Sequence, residues 1–203
     1  MSKARPALVI ATTNPGKVSE IEAILGDCGV NLRPLPDEPL VRFPEEGDDY
    51  ARNAEAKALA AARQLGVPAL ADDSGLEVDA LGGRPGPFSA RYGGPGLEDA
   101  ARVEALLAEL SEVPAARRGA RFVCVVALAD PDGTCVLATG VCEGAILKAP
   151  RGESGFGYDP IFQLEGRSEC LAEIGAAEKN RLSHRALALG QLLPELRRRL
   201  GLA

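Results

Sequence analysis

Two carboxylates stand side by side in Asp72-Asp73-Ser74-Gly75, directly after the apolar run Val67–Ala71. The run reads as a strand that ends at the Asp pair, with Leu76–Leu81 as a further short extended piece. In open α/β sheets, ligands bind beyond the carboxyl ends of the strands. Adjacent side chains on extended backbone point to opposite faces. One Asp can therefore face a site while the other ties the loop. An Asp so placed can hold Mg²⁺ or take a proton from water. The same four residues also read as an Asx turn with solvated carboxylates. Glu45 and Glu46 are a second acidic candidate. Mg²⁺ is usually held by one or two carboxylates, with phosphates and water completing its shell. A Glu from this loop with Asp73 fits that count, although an acidic loop at a helix start is the plainer reading.

Cations and amide donors supply the complement. Thr12-Thr13-Asn14-Pro15-Gly16-Lys17 lies between the apolar run Ala7–Ala11 and a helical pattern of Val18, Ile21, Ile24 and Leu25. A polar loop entering a helix offers backbone N–H groups and the helix dipole to an anion, and Lys17 adds a point charge. It is not a Walker A loop: Ala11 replaces the first Gly, and Val18 the Ser/Thr. Ser154–Pro160 holds two glycines around Phe156, then Tyr158 and Asp159. Glycines there allow close approach of backbone to a ligand. Phe156 or Tyr158 could stack on a base, worth about 1–3 kcal/mol. Glu178–Arg185 gathers Lys179, Arg181, Arg185 and the only His, His184, at an expected helix start with Ser183 as N-cap. Cations in a first turn oppose the helix dipole, so they call for an anion or a nucleobase.

The elements that must position these groups follow from pattern. Ala7–Ala11 is apolar throughout, as in a strand buried on both faces. Asn14 then Pro15 open a helix that ends at Gly26 or Gly29. Asn31–Leu35 reads as a strand, and Tyr50–Leu65 as an Ala-rich helix behind Asp48-Asp49. Gly82–Gly96 is a long Gly/Pro-rich loop, and Leu97–Leu110 an amphipathic helix. Arg121–Ala129 and Thr134–Leu147 form a hairpin around Asp130-Pro131-Asp132-Gly133. A last helix spans Ser183–Leu200. Early alternation plus a later hairpin means α/β with a mixed sheet.

Composition bounds the function. The 203 residues suit one domain, or one with a modest second lobe. With 46% hydrophobic and 26% charged residues the chain is neither a disordered nor a disulfide-scaffold sequence. Lys and Arg number 23 against 29 Asp and Glu, a net charge of −6. Long nucleic acid is therefore not an expected partner, since it needs surplus cations. A small anion is still open to a local cluster of cations with a metal ion. The five cysteines include no C-x-x-C, and the lone His184 speaks against a His-based zinc site. Ala7–Ala11 is too short for a signal or membrane segment. A soluble cytoplasmic protein with reduced thiols and no membrane partner is expected.

Six segments in order resemble one family, the inosine triphosphate pyrophosphatases, also called XTP/dITP diphosphatases. They are Ala11–Lys17 (ATTNPGK), Glu45–Ala58, Ala71–Tyr92, Phe122–Leu128, Gly155–Phe162 (GFGYDPIF) and Glu178–Ala188. The resemblance implies hydrolysis of ITP, dITP and XTP between the α and β phosphates. It implies Mg²⁺ and a homodimer. It implies one domain over residues 1–203 without a linker: two α/β lobes, a mixed elongated sheet flanked by helices, and the active cleft between the lobes. Residue by residue, it puts Thr12, Thr13, Asn14, Pro15, Gly16 and Lys17 on the triphosphate. Asp73 falls at the proton acceptor and metal ligand, Glu45 (or Glu46) at the second metal ligand, and Ser74 at a substrate contact. Phe156, Gly157, Tyr158 and Asp159 line the nucleotide site. Lys179, His184 and Arg185 contact base and phosphate, and Lys57 lies near the phosphates. Two rivals are weaker. A Maf-like pyrophosphatase fits Ser183-His184-Arg185 poorly, and a non-catalytic nucleotide- or RNA-binding module leaves Asp73, Glu45 and Lys17 without a purpose.

Overall fold

The computed structural model describes residues 5–26, 28–35 and 40–202. Strand β1 (Ala7–Ile10) is apolar at every position and is buried on both faces. It runs parallel to β2 (Asn31–Pro34), with Ala7 opposite Asn31, and parallel to β3 (Ala69–Val78), with Val9 opposite Ala69. Parallel neighbours need crossovers, and two helices supply them. Helix α1 (Pro15–Leu25) begins where expected: the Asn14 side chain accepts from the Lys17 N–H and Pro15 takes the first position. Helix α2 (Tyr50–Leu65) matches its expected span; Asp49 caps its start and Gly66, at φ 69°, its end.

The chain divides into two compact units. The first comprises residues 1–73, 124–140 and 185–203. It has apolar clusters on opposite faces of its strands. Leu8, Ile10 and Leu70 pack with Ile21 and Leu25 of α1 and with Ala188, Leu189, Leu192 and Leu196 of α5 (His184–Leu200). Val9, Ala11, Ala69 and Ala71 pack with Ala54, Ala58, Ala61 and Ala62 of α2. Small side chains on α2 let its backbone approach the sheet closely.

The second unit comprises residues 74–123 and 141–184. Its core holds Leu76 and Val78 of β3, Val103, Leu106 and Leu110 of the α3 (Asp99–Glu109) segment, and Phe122 of β5 (Gly119–Ala129). Tyr158, Ile161, Phe162 and Leu171 complete it. Strand β4 (Pro85–Gly86) lies antiparallel to β3. Strand β6 (Cys135–Ile146) pairs antiparallel with β7 (Phe162–Leu164). The described strands form one mixed sheet in the order β2-β1-β3-β5-β6-β7, with β4 beside β3. The expected hairpin turn is present: the Asp130 N–H donates to the Thr134 carbonyl at 2.9 Å. Among the described residues no helix is long and apolar enough to cross a membrane.

Two expectations about elements are corrected. The strand does not end at Asp72. Strand β3 runs unbroken for ten residues through Asp72-Asp73-Ser74-Gly75. An Asx turn forms when the carboxylate turns to its own backbone. Here both carboxylates are claimed by distant cations, so the backbone stays extended. The last helix is preceded by a second one, α4 (Ala176–Leu182). Ser183 is extended between them (φ −67°, ψ 153°), and its N–H caps α4 on the Lys179 carbonyl. Seven residues are too few for a helical period to show in the sequence.

Candidate active site

The first unit holds two charged clusters on consecutive residues of β3. Asp72 follows Leu70 onto the α1/α5 face, and Asp73 follows Ala71 onto the α2 face, as strand alternation requires. Asp72 is 1% exposed. The Lys17 Nζ lies 3.0 Å from its Oδ2, and the Arg185 Nη2 lies 3.0 Å from the same oxygen. The Arg185 guanidinium is fully buried and also meets Glu20 of α1. Burial alone would raise the Asp72 carboxyl, but Lys17 and then Arg185 outweigh it and hold it well below the usual range. The Cys124 thiol, 3.9 Å from Asp72, is pushed up to about 12 by burial and then by that carboxylate.

Asp73 has a different environment. Its Oδ1 lies 3.3 Å from the Lys57 Nζ, and its Oδ2 accepts from the Asn53 side-chain amide at 2.9 Å. Lys57 also donates to Glu46 at 2.7 Å. Burial pushes the Asp73 carboxyl up; Lys57 and Asn53 oppose this without cancelling it, and Glu46 adds to it. Burial would lower the Lys57 ammonium, but Asp73, Asp72 and Glu46 outweigh it and raise it. Glu45 is exposed, one residue before Glu46. The carboxylates here are oxygen donors of the kind that hard cations take. Among the described residues no three His, Cys, Asp or Glu side chains gather to cage a metal. A hard ion on one or two carboxylates, finished by phosphate and water, is the arrangement this donor set fits.

The phosphate-loop candidates form the entry to α1. Thr13, Asn14 and Pro15 are exposed, while Thr12, Gly16 and Lys17 are partly covered. The Thr12 hydroxyl accepts from the Asn14 N–H at 3.2 Å. The Lys17 N–H is capped by the Asn14 side chain, the Val18 N–H meets the Asn14 carbonyl, and Pro15 has no N–H to satisfy.

In the second unit, the segment Phe156–Asp159 is braced at three points. The Asp159 carboxylate accepts from the Phe156 N–H at 2.9 Å and pairs with the Lys179 ammonium. The Gly157 N–H donates to Asp99 of α3 at 2.7 Å. The Tyr158 hydroxyl donates to the Ser89 carbonyl at 3.0 Å. Gly155 has a φ of +82°, and a side chain there would run into the Asp159 carboxylate. Of the two aromatics considered for stacking, Tyr158 is buried as a strut and Phe156 is half-covered, with the Lys179 Nζ 4.7 Å from its ring centre. His184 stacks on Phe122, centroids 4.7 Å apart and planes within 11°. Ser74 is partly exposed on β3.

Residues 8–195 match the model of the Ham1 family. The chain belongs to the Ham1 family. It is 48% identical over 199 residues to the dITP/XTP pyrophosphatase of Streptomyces avermitilis, covering 96% of this chain and 98% of that protein. It is 50% identical over 188 residues to the dITP/XTP pyrophosphatase of Geobacillus kaustophilus, covering 91% of each. The fold superposes on a HAM1 protein from Coxiella burnetii with a TM-score of 0.84 at 40% identity, over 94% of this chain and 98% of that one. The Staphylococcus aureus Ham1 protein gives 0.81 at 36% identity, over 95% and 99%.

Three bracing residues have no role assigned to them in the sequence: Asn53 and Ser89 fall inside the resembling segments Glu45–Ala58 and Ala71–Tyr92, and Arg118 outside them. Asn53 is a buried amide on the Ala-rich face of α2, and that misplaced polarity is a readable signal. Ser89 sits in the Gly82–Gly96 loop; its hydroxyl accepts from the Leu76 N–H at 2.8 Å and donates to the Gly86 carbonyl at 2.6 Å. The loop therefore holds both β3 and Tyr158. Arg118 is buried and donates to the carbonyls of Leu110, Val113 and Leu147, closing the end of α3. Nothing in its sequence neighbourhood marks it.

Proposed function

We propose that this Ham1 chain hydrolyses non-standard purine nucleoside triphosphates (ITP, dITP and XTP) between the α and β phosphates, releasing the monophosphate and pyrophosphate. The observation that carries this reading is near end-to-end similarity, at 48% identity over 199 residues, to a protein named dITP/XTP pyrophosphatase. Thr12–Gly16 receive the phosphate chain at the α1 entry. Lys17, anchored by Asp72, neutralises charge developing on the pyrophosphate leaving group. Mg²⁺ would be held by Asp73 and Glu45, where when bound it supplies Lewis-acid polarisation of the phosphoryl oxygens. Glu46, which shares Lys57 with Asp73, is the alternative second carboxylate. Asp73 takes the proton of the water that attacks the α-phosphorus in line. Ser74 contacts the substrate beside it.

Base selection falls to the second group of residues. Phe156 stacks on the purine, and the Asp159–Lys179 pair fixes that ring. Hypoxanthine offers O6 as an acceptor where adenine offers an amino donor. A buried donor facing O6, from Lys179 or His184, leaves ATP with donor against donor. Arg185 enters by fixing Asp72, and through it Lys17. The enzyme acts on the cytoplasmic nucleotide pool as a homodimer in this reading; sedimentation as a 21.1 kDa particle would contradict the dimer.

The test is product analysis. The protein is incubated with Mg²⁺ and, separately, ITP, XTP, ATP and TTP, and the products are resolved by ion exchange. IMP and pyrophosphate, with ATP and TTP spared, are expected. IDP and inorganic phosphate would move the cleaved bond and sink the roles given to Lys17 and Asp73. No turnover of any nucleotide would leave a binding module.

A further inference from the structure

Asn53 lies one helical turn before Lys57 and is 6% exposed. Its neighbours on that face are Ala54, Ala58, Ala61 and Ala62. An amide buried there must have its hydrogen bonds met or it destabilises the fold. They are met in a specific way. The Gly47 N–H donates to the Asn53 Oδ1 at 2.8 Å, and the Asn53 Nδ2 donates to the Gly47 carbonyl at 3.0 Å. This reciprocal pair grips the backbone two residues beyond Glu45 and one beyond Glu46. The same Nδ2 donates to the Asp73 Oδ2 at 2.9 Å. One planar amide thus spans the acidic loop and the β3 carboxylate, while Lys57 holds the other Asp73 oxygen.

We propose that Asn53 is the positioning residue that sets Asp73 and the Glu45–Glu46 segment at the spacing needed to grip a divalent cation. The inference rests on the reading that those carboxylates hold Mg²⁺, and goes beyond it by naming what aligns them. Both functions of the amide are required: its oxygen orders the loop, and its two N–H groups reach the loop carbonyl and the carboxylate. Groups that orient metal ligands typically change metal affinity by about 10–100-fold when removed.

The experiment uses the full chain without nucleotide and Mn²⁺ as a paramagnetic probe. Free Mn²⁺ is titrated by electron paramagnetic resonance against wild type, Asn53→Ala and Asn53→Leu. Both replacements favour helix, so α2 is retained. A Kd for Mn²⁺ at least about 10-fold weaker than wild type is expected in both. The Mg²⁺ concentration for half-maximal ITP hydrolysis should rise in parallel. Folded variants that bind Mn²⁺ within about twofold of wild type would overturn the role of Asn53, because a merely structural amide lowers melting temperature and leaves affinity alone. Should neither variant fold, amide exchange in wild type decides. The Gly47 N–H must exchange more slowly than Asp48 and Asp49 beside it, and equal rates would overturn the proposal. A wild-type protein that neither binds Mn²⁺ nor hydrolyses ITP would instead remove the reading beneath it.

Discussion

Asp72 and Asp73 are neighbours in sequence with the same side chain, yet they stand in opposite electrostatic worlds. Asp72 enters a buried cluster where Lys17 and Arg185 converge on one oxygen, and its carboxyl is held far down. Asp73 is buried beside an ammonium and an amide, and its carboxyl is pushed up. The difference teaches how strand alternation gives two adjacent carboxylates opposite electrostatic surroundings. A carboxylate with its charge fully compensated is an anchor. One whose charge is under-compensated is disposed to take a proton or a cation.

The sharpest way to break this comparison is Asp73→Asn. Turnover of ITP should fall by about 10²–10⁴-fold, as for loss of a general base, with nucleotide binding retained; unchanged kcat would return Asp73 to a structural role. Asp72→Asn should act mainly on stability, since removing one member of a buried ion pair destabilises by about 3–5 kcal/mol. A denaturant midpoint equal to wild type would show that the cluster is not the anchor described. Lys17→Ala removes the charge that Asp72 holds in place, and kcat/KM for ITP should drop by about 10²-fold. Near-normal kcat/KM there would refute the placement of the triphosphate.

The smallest effect separates the two residues by sign. In chelated protein, Asp72 contributes stability above its unfolded pKa of about 3.9, and that stability is lost as pH falls toward its depressed folded value. Asp73 does the reverse: its raised folded value favours the fold at low pH, and stability is lost as pH rises through the carboxylate range. From about pH 5 down to about pH 2, Asp72→Asn should therefore lose less stability than wild type, and Asp73→Asn more. Melting curves across that range check it; parallel curves for the two variants would erase the distinction.

Much of this was legible beforehand. Asn14 and Pro15 at the start of α1, the Ala face of α2 and the Asp130–Gly133 turn all obey local rules, and all were found where the residues placed them. Strand alternation does send the two Asp side chains to different partners, Asp72 to Lys17 and Asp73 to Lys57. The continuation of β3 was not legible, because a local Asx turn and a distant cation compete for the same carboxylate. Neither was the partner of Arg185. A cation in a first turn does call for an anion, but the anions are Asp72 and Glu20 of the chain itself, 113 and 165 residues away.

By itself, then, the sequence determined the starts of α1 and α2, the hairpin turn and the mixed α/β class, since these depend on spacing and residue type within a few turns of chain. Tertiary structure alone decided which groups became which. It sent Tyr158 inward and left Phe156 half-covered, set Glu46 against Lys57, and put Asn53 between Gly47 and Asp73. Burial and pairing fix a side chain's charge and reach, and both come from residues far off in the chain, so no local pattern encodes them.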